Sequence, residues 1–250
     1  MTGVVFIYTD FASVYDKLMQ DIDYKHWADY IEEIFRLCDK KPSLVLDIGC
    51  GTGSFCLEMA KRNYDMIGID ISSEMLACAR QKCIEANQDI LLLNQDMRNF
   101  ELYGTVDAVV CLLDSLNYLT NKRDVKRLFK LVNNYLNPGG VFIFDINSQY
   151  KFEKILGNNV FYSIDDNITY IWQNFYNKRR KICEFDLTFF IKDNGYYKRY
   201  DEFHEERAYS LEDIKEFIKC SGLKLIAMYD NLSFKAPKKT SERIFVVCGK

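Results

Sequence analysis

Three glycines at alternate positions, Gly49, Gly51 and Gly53, follow the apolar run Val45-Leu46-Asp47-Ile48. Glycine accepts positive φ and carries no Cβ, so such a loop turns sharply out of a buried strand and lets a small molecule lie against bare backbone. What the loop lacks narrows the ligand. A phosphate-cradling P-loop needs Lys-Ser/Thr after its last glycine, whereas Gly53 is followed by Ser54 and Phe55, which argues against triphosphate binding. The dinucleotide fingerprint wants glycine or alanine at position 54, where Ser54 stands. A second acid, Asp70, ends the next apolar run, at about the twenty-residue spacing where a carboxylate takes both ribose hydroxyls in doubly wound folds. The alternative role for Asp70 is to cap the helix opening at Ser72-Ser73-Glu74-Met75.

The stretch from Val45 to Gly53 resembles the first motif of class I S-adenosylmethionine-dependent methyltransferases, hydrophobic-hydrophobic-Asp/Glu-hydrophobic-Gly-x-Gly-x-Gly, and meets it at every position. Leu91-Leu92-Leu93-Asn94-Gln95-Asp96-Met97 is similar to the family's third strand and the acid that reads the adenine amino group. Residues 107–118 look like the fourth strand and the loop where the methionine end of the cofactor meets the substrate, and Leu136-Asn137-Pro138-Gly139-Gly140 looks like the Pro-Gly-Gly turn into the fifth strand. The resemblance implies S-adenosyl-L-methionine as cofactor, held by Asp47, Gly49, Cys50, Gly51, Gly53, Asp70, Ile71, Met75, Asp96, Met97, Leu112 and Leu113.

A sulfonium methyl is already a reactive electrophile, so transfer needs alignment and exclusion of water more than a catalytic triad or a metal. Proximity and orientation supply about 7–11 kcal/mol of such a barrier. Candidates for removing the acceptor's proton are Tyr15 and Asp16, in a segment (residues 11–19) that resembles the lid of small-molecule members of the family, together with Asp114, Asn117, Tyr118 and His204. An imidazole near pKa 6.5 suits a general base, although His204 beside Glu205 and Glu206 also reads as a surface group.

These residues need a scaffold that gathers strand ends. Between Asp47 and Asp145, apolar runs alternate with helical patterns, the encoding of a parallel sheet covered on both faces. Helices are expected over 73–86 and 123–136, where Val125, Leu128, Leu131, Val132 and Leu136 recur at helical spacing. An upstream helix carries Trp27, Tyr30, Ile31, Ile34, Phe35 and Cys38 before Pro42. From Tyr150 to Phe203 the period shifts to two and aromatics accumulate, with Asp193-Asn194-Gly195 as a hairpin turn. Ser210-Leu211-Glu212-Asp213 has capping-box spacing, Gly222 ends the helix it opens, and two strand-like runs follow. The expectation is an α/β fold: a doubly wound, mostly parallel sheet with helices on both faces, plus a small antiparallel β insertion. The resemblance implies seven strands in the main sheet. The expected division is a core of residues 1–147 and 208–250 with an N-terminal helical lid, and an inserted substrate cap of residues 148–207.

The 250 residues carry a net charge of −3, which gives the whole molecule no pull toward nucleic acid or anionic membrane. The basic runs 178–181 and 235–239 read as solvated turns that could also meet an acidic substrate. Nine cysteines without a C-x-x-C, and only His26 and His204 beside them, make no zinc set and suit reduced thiols in the cytoplasm. The N-terminal stretch has no basic n-region, and no segment reaches the ~20 apolar residues needed to cross a bilayer. A small-molecule methyl acceptor is expected rather than tRNA or protein, in a monomer or homodimer. The competing readings are an NAD-dependent oxidoreductase and an S-adenosylmethionine-binding regulatory protein without turnover.

Overall fold

The structure, a computed structural model, describes Tyr15, Asp16, Met19 and residues 21–250. Of the expected lid, residues 11–14, 17 and 18 lie outside the described residues. Helix α1 (Tyr24–Leu37) leads into β1 (Leu44–Ile48), α2 (Ser54–Ala60), β2 (Asp65–Asp70), α3 (Ser73–Glu85), β3 (Leu91–Asn94) and β4 (Val106–Cys111). A 3₁₀ turn (Ser115–Tyr118), α4 (Lys122–Tyr135), β5 (Leu136–Asn147) and a π-helical turn (Lys151–Leu156) follow. Then come β6 (Val160–Ile164), β7 (Ile168–Asn177), β8 (Ile182–Asp193), β9 (Tyr196–Arg207), α5 (Leu211–Ser221), β10 (Lys224–Asp230) and β11 (Arg243–Gly249).

Seven strands form one sheet in the order β10-β11-β5-β4-β1-β2-β3. The five from β5 to β3 run parallel, and β11 is antiparallel to both neighbours. Successive residues of the inner strands are buried on opposite faces. Leu46, Val109, Phe142 and Val246 pack with α4 and α5, while Val45, Ala108, Val141 and Val247 pack with α1, α2 and α3. Burial on both sides is why these strands read as unbroken apolar runs.

The expected Pro-Gly-Gly turn falls inside the range of β5, just ahead of its continuous pairing with β4. Val106 pairs with Leu136 and Ala108 with Val141, so residues 137–140 loop out between the two pairs, with Gly139 at φ 79°, before the ladder resumes.

A separate antiparallel sheet orders as β6-β7-β8-β9. Its β8–β9 hairpin turns through Asn194 (φ 51°) and Gly195 (φ 87°), the two left-handed residues that match strand twist. Phe189, on its inner face, packs with Met75 at the start of α3 and with Tyr15. The capping box closes as expected, with Ser210 Oγ accepting from Asp213 N at 3.1 Å. Asn117 stitches the two sheets where the chain passes between them. Its amide donates to the carbonyls of Asn147 (3.3 Å) and Arg207 (2.8 Å), and its oxygen accepts from Asn147 N (3.0 Å).

Candidate active site

The strand order reverses between β1 and β4, and in open α/β sheets ligands bind at such a switch point, beyond the strands' carboxyl ends. A cleft of about 250 Å³ opens there. All three loop glycines have positive φ, yet each is glycine for a different steric reason. A Cβ on Gly49 would sit 2.9 Å from Ser115 Oγ, and one on Gly53 would sit 2.9 Å from Ala79 Cβ in α3. At Gly51, which lines the cleft, a Cβ would meet nothing within 4 Å. Gly51 is therefore the bare-backbone position, whereas Gly53 does not line the cleft and serves close packing of the loop on α3. The other expected cofactor residues, Asp47, Gly49, Cys50, Asp70, Ile71, Met75, Asp96, Met97, Leu112 and Leu113, do line it.

Asp70 is not a helix cap. Ser72 caps α3, its Oγ accepting from Met75 N at 3.1 Å. The Asp70 carboxylate instead ties two loops together, accepting from Gly51 N (2.8 Å) and Ser72 N (2.9 Å). Burial raises its pKa, and these two N–H groups work against that rise. Asp96 accepts from Arg98 N (2.8 Å) and from the Arg98 guanidinium (2.8 and 2.9 Å). Burial acts to raise its pKa, but Arg98 holds the carboxyl below the usual range. Asp47, buried below the glycine loop, is pushed up to about 7 by burial. The Cys56 thiol, donating at 3.1 Å, offsets part of that shift, and the Asp70 charge adds to it. Ile71 is 54% exposed into the cleft with Met97 nearby, an apolar setting for a flat ring.

The proton-accepting candidates divide. Tyr15 and Tyr118 line the cleft. Asp16 does not act as a free base: Thr52 Oγ1 donates to it at 2.6 Å and Lys82 Nζ pairs with it at 2.6 Å, which pins the start of the described chain to the glycine loop. Asp114 lies outside the lining and pairs with Arg243 Nη2 at 2.7 Å. The Asn117 amide is spent on backbone, as described above. His204 is a correction too. It is only 6% exposed, faces inward on β9, and meets Tyr118 edge to face at 5.9 Å, one layer behind the cleft. Burial lowers its pKa to about 4, so the imidazole is neutral at pH 7. Tyr24, Ser54, Arg98 and Ser115 also line the cleft without having been expected. Ser54 adjoins the motif and Arg98 follows the acid it grips, but Tyr24 carries no sequence signal. Among the described residues no group of three or more His, Cys, Asp or Glu is placed to hold a metal, and no helix is long and apolar enough to cross a membrane.

Sheet order, switch-point cleft and glycine loop together define the Rossmann-like fold of class I methyltransferases. A family model for a methyltransferase domain matches residues 45–140. The putative methyltransferase YqeM of Bacillus subtilis is 38% identical over 240 residues, 96% of this chain and 95% of that protein. A solved S-adenosylmethionine-dependent methyltransferase from Clostridium acetobutylicum is 39% identical with a TM-score of 0.89, over 97% of this chain and 98% of that one. The dTDP-3-amino-3,4,6-trideoxy-alpha-D-glucopyranose N,N-dimethyltransferase of Streptomyces venezuelae is 32% identical over 136 residues, 54% of this chain and 56% of that protein. The chain belongs to the S-adenosylmethionine-dependent methyltransferases. It is an enzyme of that family with S-adenosylmethionine as cofactor, and the nicotinamide and non-catalytic readings fall away.

Proposed function

We propose that the enzyme methylates a nucleophilic atom, with an amine nitrogen the best-supported case, of a small molecule held between the cleft and the four-stranded sheet. The observation that carries this reading is the packing of the four-stranded sheet on cleft residues: Phe189 of β8 meets Met75 and Tyr15, and Tyr118 is backed by His204 of β9. Aromatic side chains packed beside the cleft favour a small acceptor over a folded RNA or protein. The amino-sugar N,N-dimethyltransferase relative supports nitrogen. On this reading residues 148–207 form the acceptor-side cap, and residues 1–147 with 208–250 form the cofactor-side core.

Gly51 would give the cofactor its backbone surface, Asp70 would take the ribose hydroxyls, and Ile71 and Met97 would flank the adenine. When bound, the cofactor supplies a methyl carbon whose bond to sulfur breaks, with the electron pair leaving on sulfur, as the acceptor lone pair attacks. Leu112, Leu113 and Tyr118 would exclude water from that line of approach, and Tyr15 or Tyr118 would orient the acceptor by hydrogen bonding. No charged base is required, because a neutral amine loses its extra proton to water after transfer. Asp47 would face the positive charge of the ligand's methionine end. The test is S-adenosylhomocysteine release with a panel of amines (amino sugars included), thiols, carboxylates, bulk tRNA and protein. Turnover confined to tRNA or protein overturns the small-molecule reading.

Asp47 also gives a pH prediction. Its folded pKa of about 7 lies above its unfolded value, so its protonated form favours the empty fold at low pH, and that contribution is lost as pH rises through about 7. A cationic ligand has the opposite preference. S-adenosylmethionine affinity should fall as pH drops from 7 to 5.5, by up to about tenfold per unit. Calorimetry on the wild type and Asp47→Asn checks this, since the variant should give a flat profile.

A further inference from the structure

The loop leaving β4 bends through two consecutive left-handed residues, Leu113 and Asp114, each at φ 55°. Among the described residues, Leu113 is the one apolar side chain at positive φ; the other non-glycine residues there are Asp, Asn or Lys. Non-glycine side chains clash with backbone in this region, so two in a row persist only where surroundings impose them. Those surroundings come from the far end of the chain. Arg243, the first residue of β11, spreads its guanidinium between Asp114 (Nη2 to Oδ1, 2.7 Å) and Asp145 of β5 (Nη1 to Oδ2). The same Asp145 oxygen accepts from the Asp114 backbone N–H at 3.0 Å. The guanidinium lies 5.4 Å from the Trp27 ring centre, which fixes its plane from the side of α1. Ser115 Oγ closes the bend by donating to Leu112 O at 2.7 Å.

This bend shapes the cleft from both ends. Leu112, Leu113, Ser115 and Tyr118 all line it, and Ser115 is the residue against which Gly49 packs, so a shift in the bend displaces the glycine loop as well. Arg243 itself does not line the cleft.

We propose that Arg243 is a positioning residue of the methyltransferase, a clamp that holds the Leu113–Asp114 backbone in its left-handed form and so sets the methionine-end wall of the cleft. This rests on reading the cleft as the cofactor and transfer site. A planar fork can bond two carboxylates at once and a lysine ammonium cannot do so in the same plane, so Arg243→Lys keeps the charge and loses the clamp.

The test uses the whole 250-residue chain, S-adenosylhomocysteine calorimetry and urea unfolding. Arg243→Lys and Asp114→Ala should each weaken binding at least tenfold. Asp114→Gly should stay within threefold of the wild type, because glycine takes φ +55° unaided, and adding it to Arg243→Lys should restore most of the lost affinity. An ion cluster that merely stabilises the fold gives a different pattern: lower unfolding midpoints with unchanged affinity. That result overturns the proposal, as does equal loss in Asp114→Gly and Asp114→Ala. Should Arg243→Lys not fold, the Asp114 pair, at the more exposed end of the clamp, decides alone. A wild-type protein that does not bind S-adenosylhomocysteine overturns the cleft reading and the clamp with it. Wild-type binding with indifferent variants overturns the clamp only.

Discussion

Gly51→Val should abolish S-adenosylhomocysteine binding, a loss beyond about a hundredfold (more than ~2.7 kcal/mol), in a protein that still folds. At φ 54° a Cβ on residue 51, a cleft-lining position, meets no protein atom within 4 Å, so the two valine methyls are expected to take ligand volume rather than protein volume. The left-handed backbone costs about 1–2 kcal/mol for a residue with a Cβ, somewhat more for a β-branched one, against the roughly 5–15 kcal/mol that holds a typical domain. Gly53→Ala is the control with the opposite signature. Its Cβ would press on Ala79 at 2.9 Å, so it should lower the unfolding midpoint while acting on binding only through displacement of the loop. Calorimetry and thermal unfolding on the two variants separate these cases. Normal binding by Gly51→Val would make Gly51 a turn residue and nothing more.

Asp70→Ala should weaken cofactor binding roughly ten- to a hundredfold, the worth of about 1.5–3 kcal/mol of charge-assisted hydrogen bonds. The structure adds a cost in stability that the ribose role by itself does not carry. The same carboxylate accepts from Gly51 N and Ser72 N, and losing it leaves both donors without that partner, at about 1–3 kcal/mol if water does not replace it. Stability is therefore expected to fall along with affinity. The diagnostic is a cycle with the 2′-deoxy cofactor. The analogue should bind wild type more weakly than the natural cofactor does, and the difference should vanish in Asp70→Ala. Asp70→Asn, which keeps one acceptor oxygen, should fall between. An undiminished 2′-deoxy penalty in Asp70→Ala would assign Asp70 to loop bracing only.

The parallel sheet, its covering helices, the hairpin at Asn194-Gly195 and the capping box at Ser210 were legible in the sequence because each is written in adjacent or periodically spaced residues. So was the glycine loop. What could not be read was which neighbour each glycine meets, since Ser115 and Ala79 reach the loop only through the fold. Asp16, Asp114 and Asn117 look like available chemistry in a linear reading. Their partners Lys82, Arg243 and Arg207 lie tens of residues away and take that availability from them. His204 misleads for another reason. Beside Glu205 and Glu206 it reads as surface, yet strand alternation turns His204 and Glu206 inward and only Glu205 outward. Burial then raises the Glu206 pKa well above the usual carboxylate range, which favours the neutral acid in that interior.

The four-stranded sheet departs from the main sheet after Asn147 and rejoins it at Arg207, and the single amide of Asn117 spans both junctions. On the reading of that sheet as the acceptor-side cap, cofactor use and acceptor choice would rest largely on different residues. Substitutions along β6 to β9 can accumulate without touching Gly51, Asp70 or the bend at Leu113, provided Asn117 keeps its two carbonyls and Phe189 and His204 keep their contacts with Met75 and Tyr118. Lineages that share the cofactor-binding loops can then diverge in what they methylate, by local rewriting of the four strands and of the core tyrosines Tyr15 and Tyr118 that face the acceptor, with no rebuilding of the fold.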